Sequence, residues 1–240
     1  MVEQESLKTK VFADGADLQS ITDLARDSSI AGFTTNPTLM RNAGLTDYQA
    51  FARQVLDVVT DKPVSFEVCA DEGDEILRQA RTIASWGDNV YVKVPVTTCA
   101  GEPLADVARQ LSEDGVKVNV TALFTVAQVE KVAHAIGDGA PAYLSVFAGR
   151  IADAGIDPMP IVAQAVAMAN SIPNAEVIWA SPREVLNLVQ ANDVGCHIIT
   201  MTPDLLKKRA SLGKDLEQFS LETVQMFRND ALTAGLSIPF

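Results

Sequence analysis

One lysine sits in the middle of an otherwise apolar run. Asn89–Thr98 reads Asn-Val-Tyr-Val-Lys-Val-Pro-Val-Thr-Thr, with Lys93 at its centre. The valines and the single aromatic mark a short buried strand. Charge does not enter an apolar interior cheaply, so two outcomes are physically sensible. A carboxylate pairs Lys93, or the side chain sheds its proton and becomes a nucleophile. A neutral amine in a pocket is what Schiff-base chemistry on a ketone requires. Asp14 and Glu67 lie in apolar runs of the same kind and are the candidate partners. A second set of residues suits anion recognition. Ser181-Pro-Arg183 follows one apolar run, and Gly149-Arg150 follows another. Ser181 is placed to cap a helix whose free N–H groups, with Arg183 and Arg150, would seat a phosphate or similar dianion. The competing assignments are an ion pair of Arg150 with Asp153, and of Arg183 with Glu184 or Asp193.

These residues need elements to position them. Eight short apolar segments recur at fairly even spacing: 11–15, 32–37, 63–68, 89–96, 117–123, 142–149, 176–181 and 196–201. Stretches of helical periodicity lie between them. Asp17 and Thr46 are expected caps, and Pro182 and Pro203 expected first helical residues. Strand then helix, eight times in 240 residues, predicts an α/β fold, a (β/α)8 barrel. A further helix, about 216–234, is surplus to the repeats and points to an end cap or a subunit contact. No linker or low-complexity segment divides the chain, so residues 1–240 are expected to form one domain. An open doubly wound sheet is disfavoured, because no glycine-rich dinucleotide loop follows the first strand.

Strand side chains alternate faces. In the fourth strand Val92 and Val94 oppose Tyr91 and Lys93. The same alternation sets Asp14, Thr34 and Asn36, Ser65 and Glu67, Asn119 and Thr121, and Ser145 and Phe147 apart from their apolar neighbours. In the seventh, Ile178 and Ala180 oppose Trp179 and Ser181. A barrel interior is normally filled by Val, Ile and Leu, so a converging polar set reads as a functional site.

Composition narrows the classes. The formal net charge of −12 argues against nucleic acid and against anionic membranes as partners. No apolar run approaches spanning length, and residues 1–10 carry no signal-peptide core. Three cysteines without metal spacing suggest reduced thiols and a cytoplasmic protein. Two histidines leave little room for a His-rich metal site.

Several pieces resemble one known family in order along nearly the whole chain. They are Ala13-Asp14, Gly32-Phe-Thr-Thr-Asn-Pro-Thr-Leu39, Val92-Lys-Val-Pro-Val-Thr97, Asn119-Val-Thr-Ala-Leu-Phe124 and Ser145-Val-Phe-Ala-Gly-Arg150. The resemblance is to the transaldolases, especially the short bacterial forms that include fructose-6-phosphate aldolase. It implies sugar-phosphate substrates and no cofactor or metal. Lys93 would form the Schiff base and Asp14 would move the proton that accompanies carbon–carbon cleavage. Glu67, through a water held with Thr121, would shuttle protons. Asn36, Asn119 and Ser145 would hold the hydroxyls of the three-carbon unit, and Thr34 and Phe147 would also belong to the substrate-binding set. Arg150, Ser181 and Arg183 would seat the phosphate, or a sulfonate in relatives that take sulfonated sugars. Glu67 and Phe147 resemble true transaldolases, since the aldolase branch carries Gln and Tyr there. Pro182 departs from the family, which usually places an aromatic between the serine and the basic residue. A homo-oligomer is expected.

Overall fold

The computed structural model describes residues 7–238. Its elements alternate as the periodicity requires. They run β1 (Lys10–Asp14), α1 (Leu18–Ala25), β2 (Ile30–Thr34), α2 (Pro37–Asn42), α3 (Tyr48–Val58), β3 (Val64–Glu67), α4 (Gly73–Ala84), β4 (Val90–Pro95), α5 (Ala105–Glu113) and β5 (Val118–Leu123). They continue with α6 (Val126–Ile136), β6 (Ala142–Val146), α7 (Ala148–Asp153), α8 (Met159–Ala169), β7 (Ala175–Trp179), α9 (Leu186–Asp193), β8 (Ile198–Met201), α10 (Pro203–Lys208) and α11 (Leu216–Thr233). The eight strands are parallel and close into a barrel in chain order, β8 pairing with β1. The fold is a (β/α)8 barrel with an additional C-terminal helix.

Alternation divides the apolar residues into two groups. Val64, Phe66, Val92, Val94, Val118, Val120, Leu144 and Val146 join helix residues in the large core between barrel and helices. The opposite parity supplies a small interior group of Phe12, Tyr143, Ile178, Ala180 and Ile198, with Tyr91 and Phe147 packed on it. Tyr91 stacks on Tyr143 at 4.0 Å between centroids, and Phe12 meets Tyr143 edge-on at 5.7 Å. Gly32 makes room for this plug: a Cβ there would lie 2.6 Å from the Phe12 ring. Aromatic rings therefore fill the interior below the residues of the strand ends, which are polar.

Local sequence explains most element ends. Asp17 caps α1 by accepting from the Ser20 N–H at 2.8 Å. Thr125 and Gln128 form a reciprocal capping box on α6. Five expectations need correction. Asp47, not Thr46, caps α3. The run 32–37 is not all strand: β2 begins at Ile30 and ends at Thr34, because Asn36 and Pro37 open α2. The run 142–149 likewise ends as strand at Val146 and turns into α7. Pro182 does not start a helix, since α9 begins at Leu186. Trp179 packs in the outer core and Ile178 and Ala180 in the interior, so the polar parity of β7 does not hold. A bulge between β5 and β6 includes Ala122, at φ +60°. The shift spans Val120–Leu123, and Thr121, which keeps its register with Pro95 of β4, still lines the interior cavity.

Candidate active site

Strand register assembles the site. Glu67 pairs with Lys93 across β3 and β4, Lys93 with Asn119 across β4 and β5, and Asp14 with Thr34 across β1 and β2. Neighbouring strands run about 4.8 Å apart, so each pair shares one face at contact range. All twelve residues singled out in the sequence line one cavity of about 500 Å³ at the C-terminal mouth. They are Asp14, Thr34, Asn36, Glu67, Lys93, Asn119, Thr121, Ser145, Phe147, Arg150, Ser181 and Arg183.

Lys93 takes the paired outcome in this structure. Its Nζ lies 2.9 Å from Glu67 Oε2 and donates to the Thr35 carbonyl at 2.8 Å. Lys93 is buried, at 7% exposure, while the Glu67 side chain keeps 19%. The amine thus touches its carboxylate directly. Asp14 accepts from Thr34 Oγ1 at 2.8 Å and from Asn36 Nδ2 at 3.5 Å. Burial holds the Asp14 carboxyl above the usual carboxylate range. The Lys93 charge and the Thr34 and Asn36 hydrogen bonds pull the other way, and Glu67 adds to the rise. A carboxyl raised in this way is a stronger base once ionised.

A second polar chain runs beside the amine. Ser145 Oγ donates to Asn119 Oδ1 at 2.7 Å, and Asn119 Nδ2 donates to Ser65 Oγ at 3.0 Å. Asn119 is fully buried. Thr121 Oγ1 is also buried and has no hydrogen-bond partner within the chain. A hydroxyl in that state costs about 1–3 kcal/mol unless water or ligand satisfies it. Asn36 has a second task, because its Oδ1 accepts from the Leu39 N–H at 2.9 Å as the cap of α2.

The anion end differs in detail from expectation. Ser181 lies beyond the end of β7 at φ +59° and caps nothing, yet it lines the cavity. The loop N–H groups of Arg183 and Glu184 both donate to Asn187 Oδ1, at 2.7 and 3.1 Å. They are not free for an anion. Arg183 forks onto Asp153, with Nε–Oδ1 at 3.1 Å and Nη2–Oδ2 at 2.5 Å. Arg150 is exposed, has no ion pair among the described residues, and lies over the Phe147 ring at 5.4 Å. The cation pair is therefore one tethered and one open arginine.

Thr200 was missed in the sequence. It lines the cavity and its Oγ1 lies 2.5 Å from Thr34 Oγ1. Its signal was available, since it shares the parity of Ile198 on β8. Thr35 was missed because its contribution is a backbone carbonyl, which composition cannot flag. Among the described residues no group of three His, Cys, Asp or Glu side chains is placed to hold a metal.

The geometry so far defines a parallel (β/α)8 barrel with a lysine and two carboxylates at its C-terminal mouth. The profile of the transaldolase/fructose-6-phosphate aldolase family matches residues 11–238, and the chain belongs to that family. Three relatives carry the name probable transaldolase. One from Sorangium cellulosum is 38% identical over 83% of this chain and 88% of its own. One from Dehalococcoides mccartyi is 36% identical over 80% and 86%. One from Thermoanaerobacter sp. is 32% identical over 95% and 100%. A solved structure of a candidate lyase/mutase from Burkholderia cenocepacia superposes with a TM-score of 0.58 at 15% identity, covering 97% of this chain and 88% of its own. At that identity the likeness concerns the fold alone.

Proposed function

We propose that this protein is a transaldolase that moves a three-carbon dihydroxyacetone unit between sugar phosphates through a Schiff base on Lys93. The observation that carries this reading is the direct contact of buried Lys93 Nζ with Glu67, in one cavity with Asp14. Glu67 takes the proton that makes the amine nucleophilic. The amine adds to the ketose carbonyl, and loss of water leaves a protonated imine. Asp14 takes the hydroxyl proton while the adjacent carbon–carbon bond breaks, and the electron pair moves onto the imine to give an enamine. The departing aldehyde leaves and a second aldehyde adds to the enamine, with Asp14 returning the proton. Water, activated by Glu67, then hydrolyses the imine. The unpartnered Thr121 hydroxyl supports a water in that relay. Ser145, oriented by Asn119, and Thr34 and Asn36 grip the three-carbon unit. Arg150, with Ser181 and the tethered Arg183, holds the distal phosphate, or a sulfonate of the same charge type.

Borohydride trapping with fructose 6-phosphate, followed by peptide mapping, tests the covalent step. The label belongs on the peptide that contains Lys93. An unmodified Lys93 during turnover overturns the mechanism. Coupled assays with and without erythrose 4-phosphate test the transfer, and turnover that ignores the acceptor makes the protein an aldolase instead.

The molecular setting follows the same reading. The pairing of β1 with β8 closes one ring of strands, which supports one catalytic domain. Its three cysteines are free, two exposed and one buried, which suits a reducing cytoplasm. Among the described residues no helix is long and apolar enough to cross a membrane. No residue of α11 is buried, although the helix carries Phe219, Val224, Met226 and Phe227. An exposed apolar helix of this kind supports a homo-oligomer.

A further inference from the structure

β2 and β3 part company at the residue that carries the acid–base carboxylate. The Phe33 N–H donates to the Pro63 carbonyl at 2.8 Å and the Thr35 N–H to the Ser65 carbonyl at 3.1 Å. Alternate residues of a parallel strand present both N–H and C=O to the same neighbour, so residue 67 is next to face β2. Its N–H would use the Thr35 carbonyl, and its C=O would use the N–H of residue 37. Residue 37 is proline and has no N–H. The Thr35 carbonyl accepts from Lys93 Nζ instead. The rung is absent beneath Glu67.

Tyr48, the first residue of α3, supplies it. Its Oη accepts from the Glu67 N–H at 2.7 Å and donates to the Glu67 carbonyl at 2.9 Å. The ring meets Phe66 edge-on at 6.2 Å and Trp86 at 5.8 Å between centroids. Burial raises the pKa of the phenol, so it stays protonated and able to donate. Tyr48 does not line the cavity at the barrel mouth and so does not touch a ligand there.

We propose that Tyr48 is a positioning residue of the reaction, whose phenol replaces the missing β2 rung and so keeps Glu67 against Lys93. The inference rests on reading Glu67 and Lys93 as the reacting pair. Without the hydroxyl, the Glu67 N–H has the Thr35 carbonyl as its nearest alternative, in competition with Lys93. The amine and its base then lose their placement together. The distal anion grip is untouched, so the loss falls on the chemical step and not on binding.

The test compares wild type, Tyr48→Phe and Trp86→Phe. Trp86→Phe alters the same aromatic cluster without touching the Glu67 backbone. Steady-state kinetics are normalised to the fraction of Lys93 that borohydride can trap, and hydrogen exchange is followed in the peptide covering residues 64–70. Tyr48→Phe lowers kcat and the single-turnover rate of imine formation about 10- to 100-fold, the scale of a small misplacement. KM stays within about twofold, exchange in the 64–70 peptide rises, and Trp86→Phe stays near wild type. Wild-type kcat per trapped site in Tyr48→Phe overturns the inference, whatever its melting temperature. So does an equal loss in Trp86→Phe, which would make the ring and not the hydroxyl responsible. If wild-type Lys93 is never trapped, the mechanism fails instead. The role in the reaction then falls with it, and the exchange arm decides only the rung: unchanged exchange in Tyr48→Phe overturns that part as well.

Discussion

Asp14 shows how one residue couples function to stability. Its folded-state pKa lies above its unfolded value, chiefly through burial. Protonation therefore favours the fold. The associated stability is fully present below the unfolded pKa and is lost as pH rises through the raised folded pKa. Asp14→Asn removes the ionisation, so its Tm exceeds that of wild type at pH 7 and the gap closes as pH falls toward 4. Thermal melts across that range check the sign. Under the proposed mechanism the same variant loses about 10²–10⁴-fold in kcat, the usual contribution of a positioned acid–base group. Lys93 and Glu67 present the complementary case. The sequence left a paired lysine and a neutral nucleophile both open, and the coordinates give the pair, 2.9 Å apart. Pairing does not exclude catalysis, because the partner that neutralises the ammonium at rest is also the group able to accept its proton.

At the scale of elements, the approach of α7 to the loop after β7 brings the two arginines together. Gly149 makes the approach: its N–H donates to the Ala180 carbonyl at 3.3 Å. A Cβ on Gly149 would lie 1.6 Å from the Ser181 carbonyl oxygen and 3.3 Å from Arg183 Cγ. Backbone, and not a flexible side chain, blocks the space. Gly149→Ala therefore separates Arg150 from Ser181 and Arg183. Overpacking of this kind costs about 1–3 kcal/mol, or roughly 2–12 °C in Tm. KM for a phosphorylated donor rises about tenfold or more, while the unphosphorylated ketose loses much less. Parallel kinetics on the two donors separate loss of the anion grip from general damage. Equal losses for both would show that Arg150 and Arg183 do not read the phosphate.

For the whole molecule, the unexplained feature is α11. Leu216, Phe219, Leu221, Val224, Met226, Phe227 and Leu232 are all exposed, at 42–79%. Lys214 pairs with Glu222 and lies over Phe219 at 4.5 Å, which orients the start of the helix without covering it. Single exposed apolar residues need no explanation, but seven on one helix do. If a second copy covers them, light scattering gives a multimer for the full chain and a monomer after removal of residues 214–240. A monomeric full chain at micromolar concentration would end that assignment. The barrel contacts of β1 with β8 do not involve α11, so the truncated chain should keep its fold.

The periodicity of the chain is enough to specify the barrel. Interrupted apolar parity set apart nine of the twelve residues that share one cavity, and the Gly-Arg and Ser-Pro-Arg pieces beyond the strands added Arg150, Ser181 and Arg183. Local chemistry was less decisive where two rules competed. Asn36-Pro37 carried a helix-start signal inside a run that also read as strand, and the loop N–H groups expected to be free beside Ser181 are taken by Asn187, six residues on. Tertiary structure alone decided which carboxylate meets which cation. Asp153 pairs with Arg183 and leaves Arg150 open, and Glu67 rather than Asp14 lies against Lys93. Side-chain type and spacing are properties of the chain, whereas a hydrogen-bond partner is fixed by register and by which backbone groups the neighbouring strand leaves unpaired. Tyr48 bonding to the backbone of Glu67 is of the second kind, which is why no pattern in the residues announced it.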